Sequence, residues 1–316
     1  MQHIRDKLEN HQIGIYFATV ALAALAALAL PGTTALEPAV NPALAFMLFV
    51  TFLQVPLAEL GRAFTNARFL GALLATNFIV IPLLVAGLLP FVPDDPLIRL
   101  GVLLVLLAPC IDYVVTFSHL GRADARLLLA ATPVLLVAQM LMLPVYLGIL
   151  LGIGAADLVQ PGPFIDAFMW LIAAPLLLAV ALQLWAGRSQ AGARASTILG
   201  LLPVPATALV LFIVVASVLP QLGQALDAAL RVAPVYAAFA LLAPPAGWLV
   251  ARLFRLAAPA GRAVAFSGAT RNSLVVLPLA LAVPGAVPLL PAIIVTQTLV
   301  ELIAELVYVR LIARLG

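Results

Sequence analysis

Ten apolar runs of span length follow one another along the chain, separated by short charged or Pro/Gly-containing stretches. They lie near 13–31, 42–60, 69–91, 97–119, 127–152, 165–186, 198–219, 232–253, 263–284 and 289–310. Each approaches the ~20 residues that an α-helix needs to cross a bilayer core. The pattern predicts an all-α integral membrane protein with ten transmembrane helices. The first run, with its ALAALAALAL stretch, resembles a secretory leader, but Asp6 and Glu9 interrupt the basic flank. It also exceeds the ~7–15 residues of a signal core.

The basic residues alternate with the spans. Arg5, Lys7, Arg62, Arg68, Arg122, Arg126, Arg188, Arg194, Arg252, Arg255, Arg262, Arg310 and Arg314 fall on one side, and only Arg99 and Arg231 on the other. Thirteen against two predicts that both termini are cytoplasmic, by the excess of Lys and Arg in cytoplasmic loops. The expected location is the cell (inner) membrane.

The two halves of the chain repeat each other. Pro133, Val137, Gln139 and Leu141 recur as Pro291, Val295, Gln297 and Leu299, each displaced by 158 positions. The predicted division is a first five-helix repeat over 1–153 and a second over 154–316, inverted because five is odd. The same displacement carries Ala108, Pro109 and Cys110 onto Phe266, Ser267 and Gly268, where SGATRNS interrupts the ninth run. Spans four and nine are therefore expected to be discontinuous. Paired broken helices in an inverted repeat point to a binding site near the membrane midplane.

Composition narrows the function. Of 316 residues, 65% are hydrophobic and 9% charged, against about 25% charged in ordinary soluble proteins. This excludes a water-soluble enzyme or nucleic-acid binder and leaves no room for an expected soluble domain. One cysteine, Cys110, and three scattered histidines give no metal-ligand spacing, so no cofactor or metal is expected. The net charge of +3 lies in loops, where it serves topology.

Ionised groups inside a bilayer cost at least ~2.5–3.5 kcal/mol on insertion scales, so each needs a reason. Asp112 follows Pro109 at the first break, Arg271 lies in the second, and Gln297, Glu301 and Glu305 share one face of span ten. Asp112, Arg271 and Glu301 either bracket a site with a proton-binding carboxylate, or Arg271 pairs with Asp112 or Glu301 to pin the broken helices. Glu305 is read either as part of the site or as a group solvated or paired near the inner interface. Asn77, Gln139, Asn272 and Ser273 either bind a polar solute or bond helix to helix. Cys110 is either a ligand at the break or a small buried apolar group.

These motifs resemble the bile acid/arsenite/riboflavin transporter superfamily, and within it the arsenite-efflux permeases. The resemblance rests on Asn77 five residues before Pro82, GVLLVLLAPC followed by HLGRAD, TRNS at Asn272, and TQTLVE ending at Glu301. It implies a panel and a core domain, spans four and nine crossing at their breaks, and alternating access. It also implies transport roles for Cys110 and Glu301. Arsenous acid is neutral near pH 7 and thiophilic, and one thiol with oxygen acceptors binds weakly enough to release it. Its export from a negative-inside cell is most simply coupled to proton exchange through Asp112 or Glu301.

The chain departs from the family pattern in three places. Pro109 stands where those permeases usually carry Arg, and Arg271 where they carry Asn and the bile acid symporters Gln. Ser267 stands where the sodium-coupled branch carries Glu. Losing an anion and gaining a cation both disfavour sodium as the coupling ion. Arg271 equally suits an anionic cargo. Three functions therefore stand: proton-coupled efflux of arsenite or a similar small oxyacid, cation-coupled symport of organic anions, and a membrane sensor or scaffold without transport.

Overall fold

The computed structural model describes residues 2–54, 66–110, 113–151, 162, 165–166, 169–281, 283, 285–286 and 288–316. Among these, eight helices are long and apolar enough to cross a membrane: His11–Ala29, Thr33–Phe52, Ala67–Phe91, Ala125–Leu151, Met169–Ala186, Pro203–Pro220, Ala225–Leu253 and Leu289–Arg314. They overlie predicted spans one to three, five to eight and ten. The other two predicted spans are each divided into two shorter helices.

Two compact units make up the chain. The first contains Met1–Leu57 and Pro161–Gln224. It includes α1 (Gln2–Ala29) and α2 (Val40–Phe52). The second unit contains Ala58–Gln160 and Ala225–Gly316. Its N-terminal part runs through α3 (Ala67–Ala75), a π-helical turn (Thr76–Val80) and α4 (Ile81–Leu88). There follow α5 (Pro96–Leu106), α6 (Val114–Leu120) and α7 (Ala125–Leu151).

Back in the first unit, a π turn (Met169–Ala173) leads into α8 (Ala174–Ala186) and then α9 (Gln190–Leu199). There α8 packs on both α2 and α9, and Gln183 Nε2 donates to the Phe52 carbonyl at 3.3 Å. Residues Pro203–Leu253 form α10 and are helical throughout, including the stretch expected to link spans seven and eight. The sequence there, QLGQALDAALR, is mostly Ala, Leu and Gln, which favour helix. The second unit closes with α11 (Ala258–Ala269), α12 (Ser273–Leu281) and α13 (Leu289–Leu311).

In the second unit α5 and α13 pack against each other, and α12 packs on both. Asp95 starts α5 by accepting from the backbone N–H groups of Leu97 and Ile98 at 2.9 and 3.0 Å, as an N-cap does, with Pro96 at the first helical position. Helix α13 shows the polarity of a membrane span. Gln297, Glu301 and Glu305 face inward, with Glu305 0% exposed, whereas Ile303 is 61% exposed. Apolar side chains outward and polar ones inward is the arrangement that lipid selects.

Candidate functional site

The two broken spans meet at their breaks. In the first, helix α5 ends at Leu106 because Pro109 lacks an N–H and crowds the preceding turn, and the residue before a proline is biased away from helix. In the second, Thr270 is extended (φ −97°, ψ 128°). Asn272 then starts α12 by accepting from the Val275 N–H at 3.2 Å, the behaviour of an N-cap. Between them Pro109 and Arg271 form an antiparallel bridge. The Cys110 N–H donates to the Thr270 carbonyl at 3.1 Å, and the Asn272 N–H to the Ala108 carbonyl at 2.8 Å. The break is narrower than SGATRNS suggests, since Ser267 and Gly268 remain in α11.

This pairing diverts backbone donors. In an unbroken helix the N–H groups of Arg271, Asn272 and Cys110 would go to the carbonyls of Ser267, Gly268 and Leu106. Here the Arg271 N–H donates to Glu301 Oε2 at 2.7 Å, and the other two bridge the breaks. Three carbonyls at two helix C-termini are thereby released. The Arg271 guanidinium reaches all three: the two protons of Nη2 are shared among the Ser267 carbonyl, the Gly268 carbonyl at 2.8 Å and a third acceptor, and Nη1 donates to the Leu106 carbonyl at 3.4 Å. A further bond runs from Nη2 to Asn77 Oδ1 at 2.9 Å, and the Phe239 ring lies 5.6 Å from Cζ. Arg271 is 0% exposed. Hydrogen bonds to a charged group contribute about 1.5–3 kcal/mol each, so the three N–H groups engaged here suffice to offset its insertion cost.

Asn77 is aimed by its own neighbours. It lies in the π turn, where Pro82 has no N–H to give the Phe78 carbonyl; the Tyr146 hydroxyl donates to that carbonyl instead, at 2.5 Å. Asn77 Nδ2 donates to the Leu73 carbonyl and to Ser267 Oγ, both at 3.0 Å. That leaves Oδ1 facing the guanidinium. Gly268 allows the close approach of α11 to this turn, since a Cβ there would lie 2.8 Å from Thr76 Cγ2.

The sequence leaves two readings open for each of Glu301 and Glu305. Glu301 does not pair with the guanidinium: Oε2 accepts from the Arg271 backbone and from Gln297 Nε2 at 2.6 Å, and Oε1 from the Tyr113 hydroxyl at 2.5 Å. Glu305 lies in the interior and not at a solvated interface. Its Oε1 accepts from the Thr270 hydroxyl at 2.6 Å, and its Oε2 has no partner among the described residues. Ser273 Oγ accepts from Thr298 at 2.8 Å.

Asn77, Ser267, Arg271, Glu301 and Gln297 are thus linked by hydrogen bonds within the second unit; Cys110 and Glu305 meet at the adjoining Thr270, and Asn272 bonds to Ala108 of the first break. Asp112 lies outside the described residues. Gln139 is 0% exposed, and neither atom of its amide has a hydrogen-bond partner among the described residues. Arg271 Nε, Asn272 Nδ2 and Gln297 Oε1 are likewise buried without partners. Sequence reasoning missed Tyr113 and Thr270. Tyr113 had a signal, because the 158-residue displacement carries it onto Arg271.

Apolar helices of span length, with two discontinuous helices joined through unwound backbone and carrying buried ionisable groups, mark a multi-pass membrane protein with features found in membrane transporters. The chain belongs to the sodium bile acid symporter family, whose model matches residues 41–227, more than half of its length. The match covers the first break and ends before the second. No curated protein matches the chain.

Proposed function

We propose that the protein is a ten-span secondary transporter that exports arsenite, or a similar small neutral oxyacid, by alternating access in exchange for protons. The observation that carries proton exchange is the placement of Tyr113. Its hydroxyl oxygen lies 2.5 Å from Glu301 Oε1 and 3.1 Å from the Arg271 carbonyl, yet a phenol has one proton to donate. Both contacts are hydrogen bonds when Glu301 is protonated and donates to Tyr113, which then donates to the carbonyl. When Glu301 ionises, the hydroxyl turns to the carboxylate and the break loses a bond. Proton binding is thereby tied to the backbone of the second break.

Cys110 supports the choice of cargo, being a thiol buried in the first break and bonded through its backbone to Thr270. Buried polar atoms without partners call for an explanation, and those of Gln139, Gln297 and Asn272 are groups that a polyhydroxylated solute would satisfy. The inverted five-helix repeat is supported by the contact between Tyr113 and Arg271, which the same displacement relates. It is supported further by the two compact units, each of which takes one segment from each half. The charge pattern supports cytoplasmic termini in the cell inner membrane.

The test is arsenite accumulation in a host lacking its own arsenic exporters, with empty vector, wild type and Cys110→Ser at matched membrane expression. Lower accumulation with wild type, restored by the serine variant, is expected; equal accumulation in all three rejects arsenite as cargo. One observation favours symport of an organic anion instead. Arg271 Nε has no acceptor among the described residues, and a guanidinium edge suits a carboxylate or sulfonate. Uptake of radiolabelled taurocholate or pantothenate distinguishes that reading.

A further inference from the structure

The Arg271 guanidinium lies where two helix C-termini converge. Its partners among the described residues are the released carbonyls of Leu106 at the end of α5, of Ser267 and Gly268 at the end of α11, and the side-chain oxygen of Asn77. All four are uncharged oxygens, and the negative ends of two helix dipoles point at them. In secondary transporters, unwound carbonyls and half-helix C-terminal ends are the groups that coordinate a coupling cation. The cage is of that kind, and a side chain of the protein fills it.

We propose that the Arg271 guanidinium is a tethered cation in a small-monovalent-cation site, so that the chain completes its cycle without sodium although its family is named for a sodium symporter. The inference rests on the reading of the protein as a transporter working through these breaks, and not on the identity of its cargo. Three features set this arrangement apart from a simple ion pair. The carboxylate nearest in the network, Glu301, receives the backbone N–H of Arg271 and not the guanidinium. Asn77 has both amide protons committed to Leu73 and Ser267, which fixes its oxygen toward the cation. The guanidinium bonds to both broken spans, so the cage exists only while the breaks stay crossed. A free ion would enter and leave this place in each cycle, whereas a tethered one stays and removes the dependence on an external ion.

The test uses the full-length protein purified in detergent or nanodiscs and measures thermal stability in sodium, lithium, guanidinium and choline chlorides at equal, sub-denaturing ionic strength. Wild type should be indifferent to exchange of sodium for choline. Arg271→Ala should be destabilised in choline and recover roughly 2–4 °C in sodium, lithium or guanidinium, as mass action predicts for a bound ligand. Arg271→Lys, which reaches the same oxygens with an ammonium, should fold and be indifferent to sodium. A wild type stabilised by sodium over choline overturns the proposal, as does a folded Arg271→Ala that responds to none of the small cations. If the alanine variant does not fold, the lysine variant decides, and a lysine variant that needs sodium for stability overturns it. No readout here involves cargo or flux, so this proposal and arsenite export can fail separately.

Discussion

Tyr113 and Arg271 stand 158 residues apart in the chain and touch, hydroxyl oxygen to carbonyl oxygen, at 3.1 Å. The same interval separates Gln139 from Gln297. Under the proposed inverted repeat, equivalent positions would meet only close to its pseudo-two-fold axis, and this contact is what that proposal expects. The Tyr113 ring also packs edge-on against Phe117 at 6.1 Å between centroids, which holds the hydroxyl in place. Tyr113→Phe keeps the ring and removes the hydroxyl. It should lower stability by about 1–3 kcal/mol, the cost of stranding buried polar partners, and should impair transport more than it impairs expression. Thermal unfolding and flux on the same preparation check both; unchanged flux would remove Tyr113 from the coupling pathway.

Gly268 offers a test of how tightly the second break is packed. A Cβ there would come within 2.8 Å of Thr76 Cγ2, with ordinary contact to neighbouring backbone. Overpacking of this kind costs about 1–3 kcal/mol, against the ~1 kcal/mol by which Ala favours helix over Gly. Gly268→Ala should therefore destabilise the wild-type protein. In a Thr76→Ser background, which lacks the offending methyl, the same change should become neutral or stabilising. A double-mutant cycle reads the coupling directly, and strict additivity would show that α11 does not need this close approach.

Most of the fold was legible because each signal was local. Span lengths follow from apolar runs, and the end of α5 from Pro109. The polar residues Asn77, Arg271 and Glu301 stood out against their apolar surroundings. The partners of Arg271 were not legible. A carboxylate is the obvious guess for a buried cation, yet the guanidinium bonds to carbonyls that exist as free acceptors only because three N–H groups are diverted across the breaks. That diversion depends on two segments about 160 positions apart meeting in register, a tertiary fact. Thr270 was missed for a related reason. In sequence it is a residue of an interruption, whereas in the fold its hydroxyl faces Glu305.

Glu301→Gln distinguishes a coupling carboxyl from a structural one. The amide oxygen can accept from the Arg271 and Gln297 nitrogens in place of Oε2, and the amide nitrogen can donate to the Tyr113 oxygen in place of a protonated Oε1. The variant should therefore fold and copy the protonated state permanently. In wild type, export into a medium more acidic than the vesicle interior should be faster, because an inward proton gradient drives exchange. In the glutamine variant the rate should not change with the imposed gradient. Export from loaded right-side-out vesicles at a series of pH differences measures this, and a retained gradient dependence would transfer the role to another carboxyl.

Gln139 gives the cleanest separation of stability from function. Its amide is fully buried on α7, and both of its polar atoms are without partners among the described residues. A side chain that bonded helix to helix would have at least one of them satisfied. Leaving such a group unpaired costs about 1–3 kcal/mol, and replacing it with an apolar group of similar size can recover that cost. Gln139→Leu should therefore raise the melting temperature of the cargo-free protein while lowering transport, the opposite signs expected of a group kept for binding. Gln139→Ala, which leaves a cavity, should lose both. If the leucine variant is less stable than wild type and transports normally, Gln139 belongs to the packing of α7, and the cargo is bound by the groups around the two breaks alone.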